Sequence, residues 1–175
     1  MYFAALLART EDGWEASDTE LDSVETLADL ADLARESATD DGETVIVFIE
    51  QEDAWFGIVR VDGEDDPRVF VSNAAAAARS SYGEILTSEI LGDDDQDGAL
   101  DELVDLDGTE DGEPEADVDD EPADAAGVAP AGPLGETRIL ADLGLPEKEL
   151  LALTDDALGE IAEAIGASDI LEAVR

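Results

Sequence analysis

The chain has 175 residues, with 49 Asp and Glu against 8 Lys and Arg, no histidine and no cysteine, for a formal net charge of −41 at pH 7. Without thiol or imidazole it offers no disulfide framework, no CxxC redox pair and no zinc knuckle, and it lacks the usual transition-metal ligands. Such acidity repels nucleic acid and anionic membranes at long range, since affinity for a phosphate backbone comes from basic groups that release counterions, so direct nucleic-acid binding is not expected.

Charge divides the chain into three parts. Residues 1–92 hold 22 acids and 5 arginines, residues 93–134 hold 17 acids and no base, and residues 135–175 hold 10 acids and 3 bases. The first part suffices for one small core. The last lies near the lower limit for independent folding, so it is expected either to dock on the body or to remain marginal. The opening MYFAALLARTEDGW lacks the basic leader and long apolar run of a signal peptide, and nowhere do eighteen apolar residues run together, so a soluble cytoplasmic protein without membrane association is expected.

Tyr2 to Arg9 reads as a strand, Thr10-Glu11-Asp12-Gly13 as its turn and Trp14 to Glu20 as the partner strand. Asp22-Ser23-Val24-Glu25 has the spacing of a capped helix start, with Val24, Leu27, Leu30, Ala31 and Ala34 at helical intervals and an end near 39–42. Thr44 to Ile49 is continuously apolar and β-branched, the pattern of a central strand covered on both faces. Glu52-Asp53 turns the chain into a strand over Trp55 to Val61, and the loop Asp62 to Pro67 leads to another over Arg68 to Ser72. Asn73 caps a helix through the alanines 74–78 that is expected to continue through Tyr82, Ile85, Leu86 and Ile90 to Gly92, with Gly83 as its weak point.

From Asp93 to about Leu134 the chain is rich in Asp, Glu, Gly, Ala and Pro and has no aromatic residue, which predicts a solvated, disordered polyacidic linker. Order is expected to return with Arg138 to Gly144. Pro146 starts a helix carrying Leu150, Leu151 and Leu153, Thr154 caps a second with Leu158, Ile161 and Ile165, Gly166 stops it, and Ser168 caps a short third.

The loop with Asp62, Glu64, Asp65 and Asp66 sets carboxylates close together ahead of Arg68. Mg²⁺ or Ca²⁺ binding, contact with a partner, and plain turn chemistry all suit such a loop, and the last two are favoured over a metal. Asp93, Asp95, Asp97 and Gly98 copy the first half of a calcium loop, but Val104 stands where a bidentate Glu is needed. Carboxylates are abundant, yet no spacing marks a desolvated acid pair, and Ser72, Ser80 and Ser81 have no histidine or nearby lysine to activate them. Trp14, Trp55, Phe56, Phe70 and Tyr82 read as core residues, and Arg60, Arg68 and Arg79 as stabilisers of an overloaded acidic body. The central tract has three readings: a solubilising spacer, an electrostatic lure or competitor for a basic partner, or part of a high-salt adaptation.

The opening Tyr-Phe-Ala-Ala with Arg9-Thr-Glu-Asp-Gly-Trp14, the segment Ile58 to Ser72, the acidic insert, and the tail from Leu140 through Glu149-Leu-Leu-Ala-Leu153 to Arg175 resemble the actinobacterial tRNA adenosine deaminase-associated proteins. The segment 58–72 is the most specific part. The resemblance implies association with a deaminase and not deamination: a zinc deaminase needs His/Cys and two further Cys ligands, which this sequence lacks. Where members of that family often have Cys after the Leu-Leu-Ala-Leu run, this chain has Thr154.

The expected fold is α+β. A body over 1–92 contains a small, mostly antiparallel sheet of about five strands with two helices, followed by the linker 93–134 and a C-terminal helical segment 135–175. The expected function is that of a non-catalytic accessory protein, without cofactor or metal, whose partner is basic: the tRNA adenosine deaminase or another tRNA-handling protein. Asp62, Glu64, Asp65, Asp66 and Arg68 are the candidate partner contacts. The alternatives are a self-associating structural adaptor, functioning as a homo-oligomer, and a Mg²⁺-dependent carboxylate enzyme.

Overall fold

Tyr2–Thr10 forms β1 and Gly13–Ser17 forms β2, a hairpin in which Thr10 faces Gly13 across the turn Glu11-Asp12. The computed structural model describes residues 2–17, 21–38, 43–51, 54–102, 131–154 and 156–174, with the backbone alone for 92–102. The expected helix end at 39–42, the turn Glu52-Asp53 and most of the expected linker, 103–130, lie outside the described residues. After the hairpin the chain returns on the far side of β1 as β3 (Thr44–Gln51), then meanders through β4 (Trp55–Asp62) and β5 (Arg68–Val71). A two-residue strand, β6 (Leu134–Gly135), pairs with the outer side of β5. The order is β2-β1-β3-β4-β5-β6, with every pairing antiparallel. Five strands were expected and six are present among the described residues; β6 is too short to carry an alternating pattern and sits where the expected linker meets the C-terminal segment.

Side chains alternate across a strand, so a run apolar at every position must be covered twice. Leu6, Val47, Val59 and Val71 share one face with α1 (Leu27–Ser37), α2 (Ala74–Ala77) and α3 (Ser81–Glu102). Leu7, Phe48, Ile58 and Phe70 share the other with Ile139, Leu140, α4 (Glu147–Leu150), α5 (Ala157–Ile165) and α6 (Ser168–Val174). The C-terminal helices therefore pack on the sheet as a third layer. Phe48, Ile58 and Phe70 are each 1% exposed or less beneath them. At roughly 1.5–3 kcal/mol per buried side chain of this size, that layer is a major part of the core. Trp14 adds a polar tie, its indole N–H donating to the carbonyl of Ile165 at 3.0 Å.

The helix boundaries shift from their sequence positions for local reasons. Leu21–Ser23 is a 3-10 turn, and α1 starts at Leu27, where the Thr26 hydroxyl accepts from the Asp29 N–H and the Asp29 carboxylate accepts from the Thr26 N–H. This reciprocal box satisfies donors that Asp22 does not reach. The single helix expected over 74–92 is two: Asn73 caps α2, the chain turns at 78–80, and the Ser80 hydroxyl accepts from the Gly83 N–H at the start of α3. The helical backbone of α3 then runs to Glu102, beyond Gly92. α5 starts at Ala157 after Asp156, whose φ is 26°, so Thr154 is not its cap. Gly166 ends it in the left-handed conformation, as its position suggested.

Gly83 is required for space. A Cβ there would lie 2.1 Å from the Ala77 carbonyl oxygen, whereas at Gly166 a Cβ would meet nothing and only the backbone conformation, φ 78°, favours glycine. Alanine in a helix interior ordinarily stabilises by about 1 kcal/mol over glycine. Gly83→Ala is expected to destabilise by about 3 kcal/mol in urea unfolding because α2 must move away from α3, against about 1 kcal/mol for Gly166→Ala. A neutral or stabilising Gly83→Ala would refute the close approach.

Candidate interaction site around the Asp62 loop

Within β4 the alternation that turns Phe56 and Ile58 toward the C-terminal layer turns Arg60 the same way, and Arg60 is 5% exposed. A guanidinium there is tolerated only with a full set of acceptors. Its Nη1 donates to the Ile139 carbonyl at 2.8 Å, its Nη2 to the Asp142 carboxylate at 2.8 Å, and its Nε to Asp62 at 3.1 Å. Directly across the sheet stands Arg68 of β5. Two arginines at opposed positions repel, but Asp62 accepts from both. The Thr44 hydroxyl of β3 donates to the same carboxylate at 2.7 Å, and Glu136, just after β6, lies 3.5 Å from Arg68. This cluster binds β3, β4 and β5 to the segment 136–142.

The charges in the cluster reinforce one another. Hydrogen bonding from Arg60 holds Asp142 below the usual carboxylate range. Burial works to raise Asp62, but donation from Thr44, Arg68 and Arg60 outweighs it and leaves its pKa lowered. Arg60 is raised, chiefly by its bond to Asp142.

The loop beyond Asp62 is held from the other layer. Arg35, near the end of α1, donates from Nε to the Gly63 carbonyl and from Nη2 to the Asp65 carbonyl, both at 3.1 Å. The Asp65 N–H closes a turn on the Asp62 carbonyl at 3.0 Å, with Gly63 at φ 57°. Glu64, Asp65 and Asp66 stand exposed on this braced loop. The five candidate contacts thus form one contiguous feature with two roles: Asp62 and Arg68 face inward into the ion cluster, and the other three present carboxylates to solvent. Such a loop can accept hydrogen bonds and attract cations. Among the described residues, no group of three or more His, Cys, Asp or Glu is placed to hold a metal ion, and no helix is long and apolar enough to cross a membrane.

Arg60 and Arg68 stabilise the body as their sequence context suggested, while Arg79 is exposed on the turn between α2 and α3, outside this cluster. Trp55, Phe56 and Phe70 are buried, and Trp14 and Tyr82 pack against the core from partly buried positions. The backbone of 93–98 is helical, unlike the loop that calcium ligation would need. Ile139, Asp142 and Glu136 carry no local sequence signal as partners; the available one is an arginine inside a strand apolar on both faces, which must find acceptors somewhere.

Arg60→Met is expected to destabilise by about 2–4 kcal/mol, below the upper range for broken buried pairs because Asp142 is 57% exposed and its share is screened. Asp142→Asn should cost about 1 kcal/mol at neutral pH. Both Asp62 and Asp142 have lowered folded-state pKa values, so their contribution is complete above the unfolded carboxylate value, about 3.9, and is lost as pH falls through the folded values. The difference between wild type and Asp142→Asn in urea midpoint should therefore hold from about pH 7 to about pH 4.5 and shrink below that. A difference that grew on acidification would contradict the cluster.

No curated protein and no solved structure matches this chain. Residues 2–119, about two thirds of it, match the Rv3753c-like tRNA adenosine deaminase-associated proteins. The matched residues take in β1–β5, α1–α3, Arg60, Arg68 and the whole Asp62 loop, and they stop short of Glu136 and Asp142. The chain belongs to the family of Rv3753c-like tRNA adenosine deaminase-associated proteins.

Proposed function

We propose that this chain is a non-catalytic accessory protein that binds a basic partner, the tRNA adenosine deaminase or another protein that handles tRNA. The observation that carries the reading is the disposition of charge. Arg35, Arg60 and Arg68 are spent on the molecule's own carbonyls and carboxylates, while Glu64, Asp65 and Asp66 face outward on a loop braced from both layers. An acidic surface of this kind steers a cationic protein toward it and rejects polyanions. The family name supplies the link to a deaminase.

In this reading the exposed loop is a contact surface, and the tract 93–134, with 17 acids and no base, occupies a cationic RNA-binding groove of the partner until tRNA displaces it. The lack of thiol and imidazole supports a role through surface in place of chemistry.

The test is complex formation with the purified tRNA adenosine deaminase, by titration from about 50 to about 500 mM NaCl, a range over which the screening length falls from more than 10 Å to less than 5 Å. Affinity is expected to fall steadily with salt. Joint substitution of Glu64→Gln, Asp65→Asn and Asp66→Asn should weaken the complex about five- to tenfold at the low-salt end with little change in thermal stability. Absence of a complex at low salt would refute this partner.

A further inference from the structure

Two clefts of about 460 and 520 Å³ lie on the α1–α3 side of the sheet, and they share Leu27 and Glu89, so they form one continuous groove. It runs between the start of α1 and α3 and ends against the Asp66–Val69 segment beside Gly135 and Glu136. We propose that this groove docks a basic amphipathic helix of the partner. The inference rests on the accessory reading above and adds where, and by what kind of segment, the partner is held.

Its apolar lining comes from the half-buried Ile85 and Ile90 of α3, with the edges of the buried Val24 and Leu27 opposite, beside a comparable share of polar lining. The rim is acidic: Glu25, Glu84, Glu89 and Asp66 stand exposed around it, as does Glu136, which is paired with Arg68. Its single base, Arg68, is already engaged by Asp62 and Glu136. By contrast, a cleft of similar size beside Trp14, Ile170 and Val174 has only Glu15 as a charged lining residue. The acid-rimmed groove thus combines an apolar lining for aliphatic carbons with a ring of acceptors, which is what a lysine or arginine requires when its stem lies on an apolar surface and its head seeks a carboxylate.

Charge also decides among occupants. The chain's own tract from 93 to 134 carries 17 acids and no base, and a second copy brings a net charge of −41, so both are repelled from such a rim. A cationic partner segment is the occupant that gains from it. The shape of the α3 flank favours a helix. Ser81 and Ser88, two turns apart and exposed, line the groove with small side chains that let a second helix approach to about 8–10 Å, while Glu84 and Glu89 flank that contact. The stretch from Ser81 to Ile90 rises about 14 Å, enough for two to three turns of a docked helix read through i, i+3, i+4 and i+7 anchors.

The probe is a synthetic Leu/Lys amphipathic helix of about 15 residues, titrated into the full chain with amide chemical shifts as readout. Shifts are expected at Val24–Leu27, Ser81–Ile90 and Asp66–Arg68; shifts confined to 103–130 would overturn the proposal. Glu84→Lys with Glu89→Lys should weaken the peptide about tenfold, about 1.4 kcal/mol, at about 150 mM NaCl. Glu149→Lys with Glu160→Lys, the same change in net charge at exposed positions outside the groove lining, should change it less than about twofold. Equal weakening by both pairs would overturn it. So would equally tight binding of a Ser/Lys peptide of the same charge, since the apolar lining would then contribute nothing. If the lysine pair unfolds the protein, Glu84→Gln with Glu89→Gln is used, and loss of the tenfold effect to less than twofold is again contrary. The purified deaminase, run against the same proteins, separates the two levels: binding that ignores groove reversal overturns the groove and leaves the partner, whereas no binding to wild type overturns the partner and leaves the peptide titration to decide the groove.

Discussion

The central strands are apolar on both sides, and everything else in the molecule answers to that constraint. β3 runs Val45 to Ile49 with every residue buried, and β4 is buried from Trp55 to Val61. A sheet of this kind cannot leave one face to water without exposing Phe48, Ile58 and Phe70 together. The first hundred residues supply cover for one face only. The second is covered by the C-terminal helices, which are themselves too small to form a stable core alone. Neither part is complete by itself, and the packing between them resolves both deficits.

Electrostatics follows from the same arrangement. A chain with this excess of carboxylates has few guanidinium groups to place, and three of them are placed where layers meet. Arg60 joins β4 to the segment after β6, Arg68 shares the Asp62 carboxylate with it, and Arg35 ties α1 to the Asp62 loop. Each reaches backbone carbonyls or carboxylates that would be costly to leave unpaired. The outcome is a body in which Arg60 is buried and Arg35 and Arg68 are half-buried in internal pairings, while the exposed cations Arg9, Arg79, Arg138 and Lys148 are far outnumbered by exposed carboxylates. That asymmetry is the physical root of the functional reading, and it also explains why the acid-rimmed groove between α1 and α3 stands out against the nearly uncharged one beside Trp14.

Much of the fold was legible because it is local. The hairpin turn at Thr10–Gly13, the doubly covered strand over 44–49, the Asn73 cap, the stop at Gly166 and the apolar stripe of the tail all follow from short-range pattern and backbone preference. What was not legible depends on distance or on competition among near-equivalent local choices. Thr26 and Asp29 outcompete Asp22 as the start of α1 because only they satisfy each other. Gly83 read as a weakness when its role is to let Ala77 approach. β6 has two residues and is defined by its neighbour, and Asp142 pairs with an arginine 82 positions away. The candidate loop was found from its acids, but its division into inward and outward residues needed the alternation of β4 and the reach of Arg35. The acids of the candidate loop were therefore visible in composition, and their arrangement was not.

The C-terminal helices are a structural layer of the sheet and not an appendage to it. Native-state hydrogen exchange across the full chain tests this most directly. Amides of α5 and of β3–β4 are expected to share one opening free energy, because uncovering Phe48, Ile58 and Phe70 removes the support of both. Exchange of α5 at a much lower free energy, with β3 and β4 still fully protected, would contradict it.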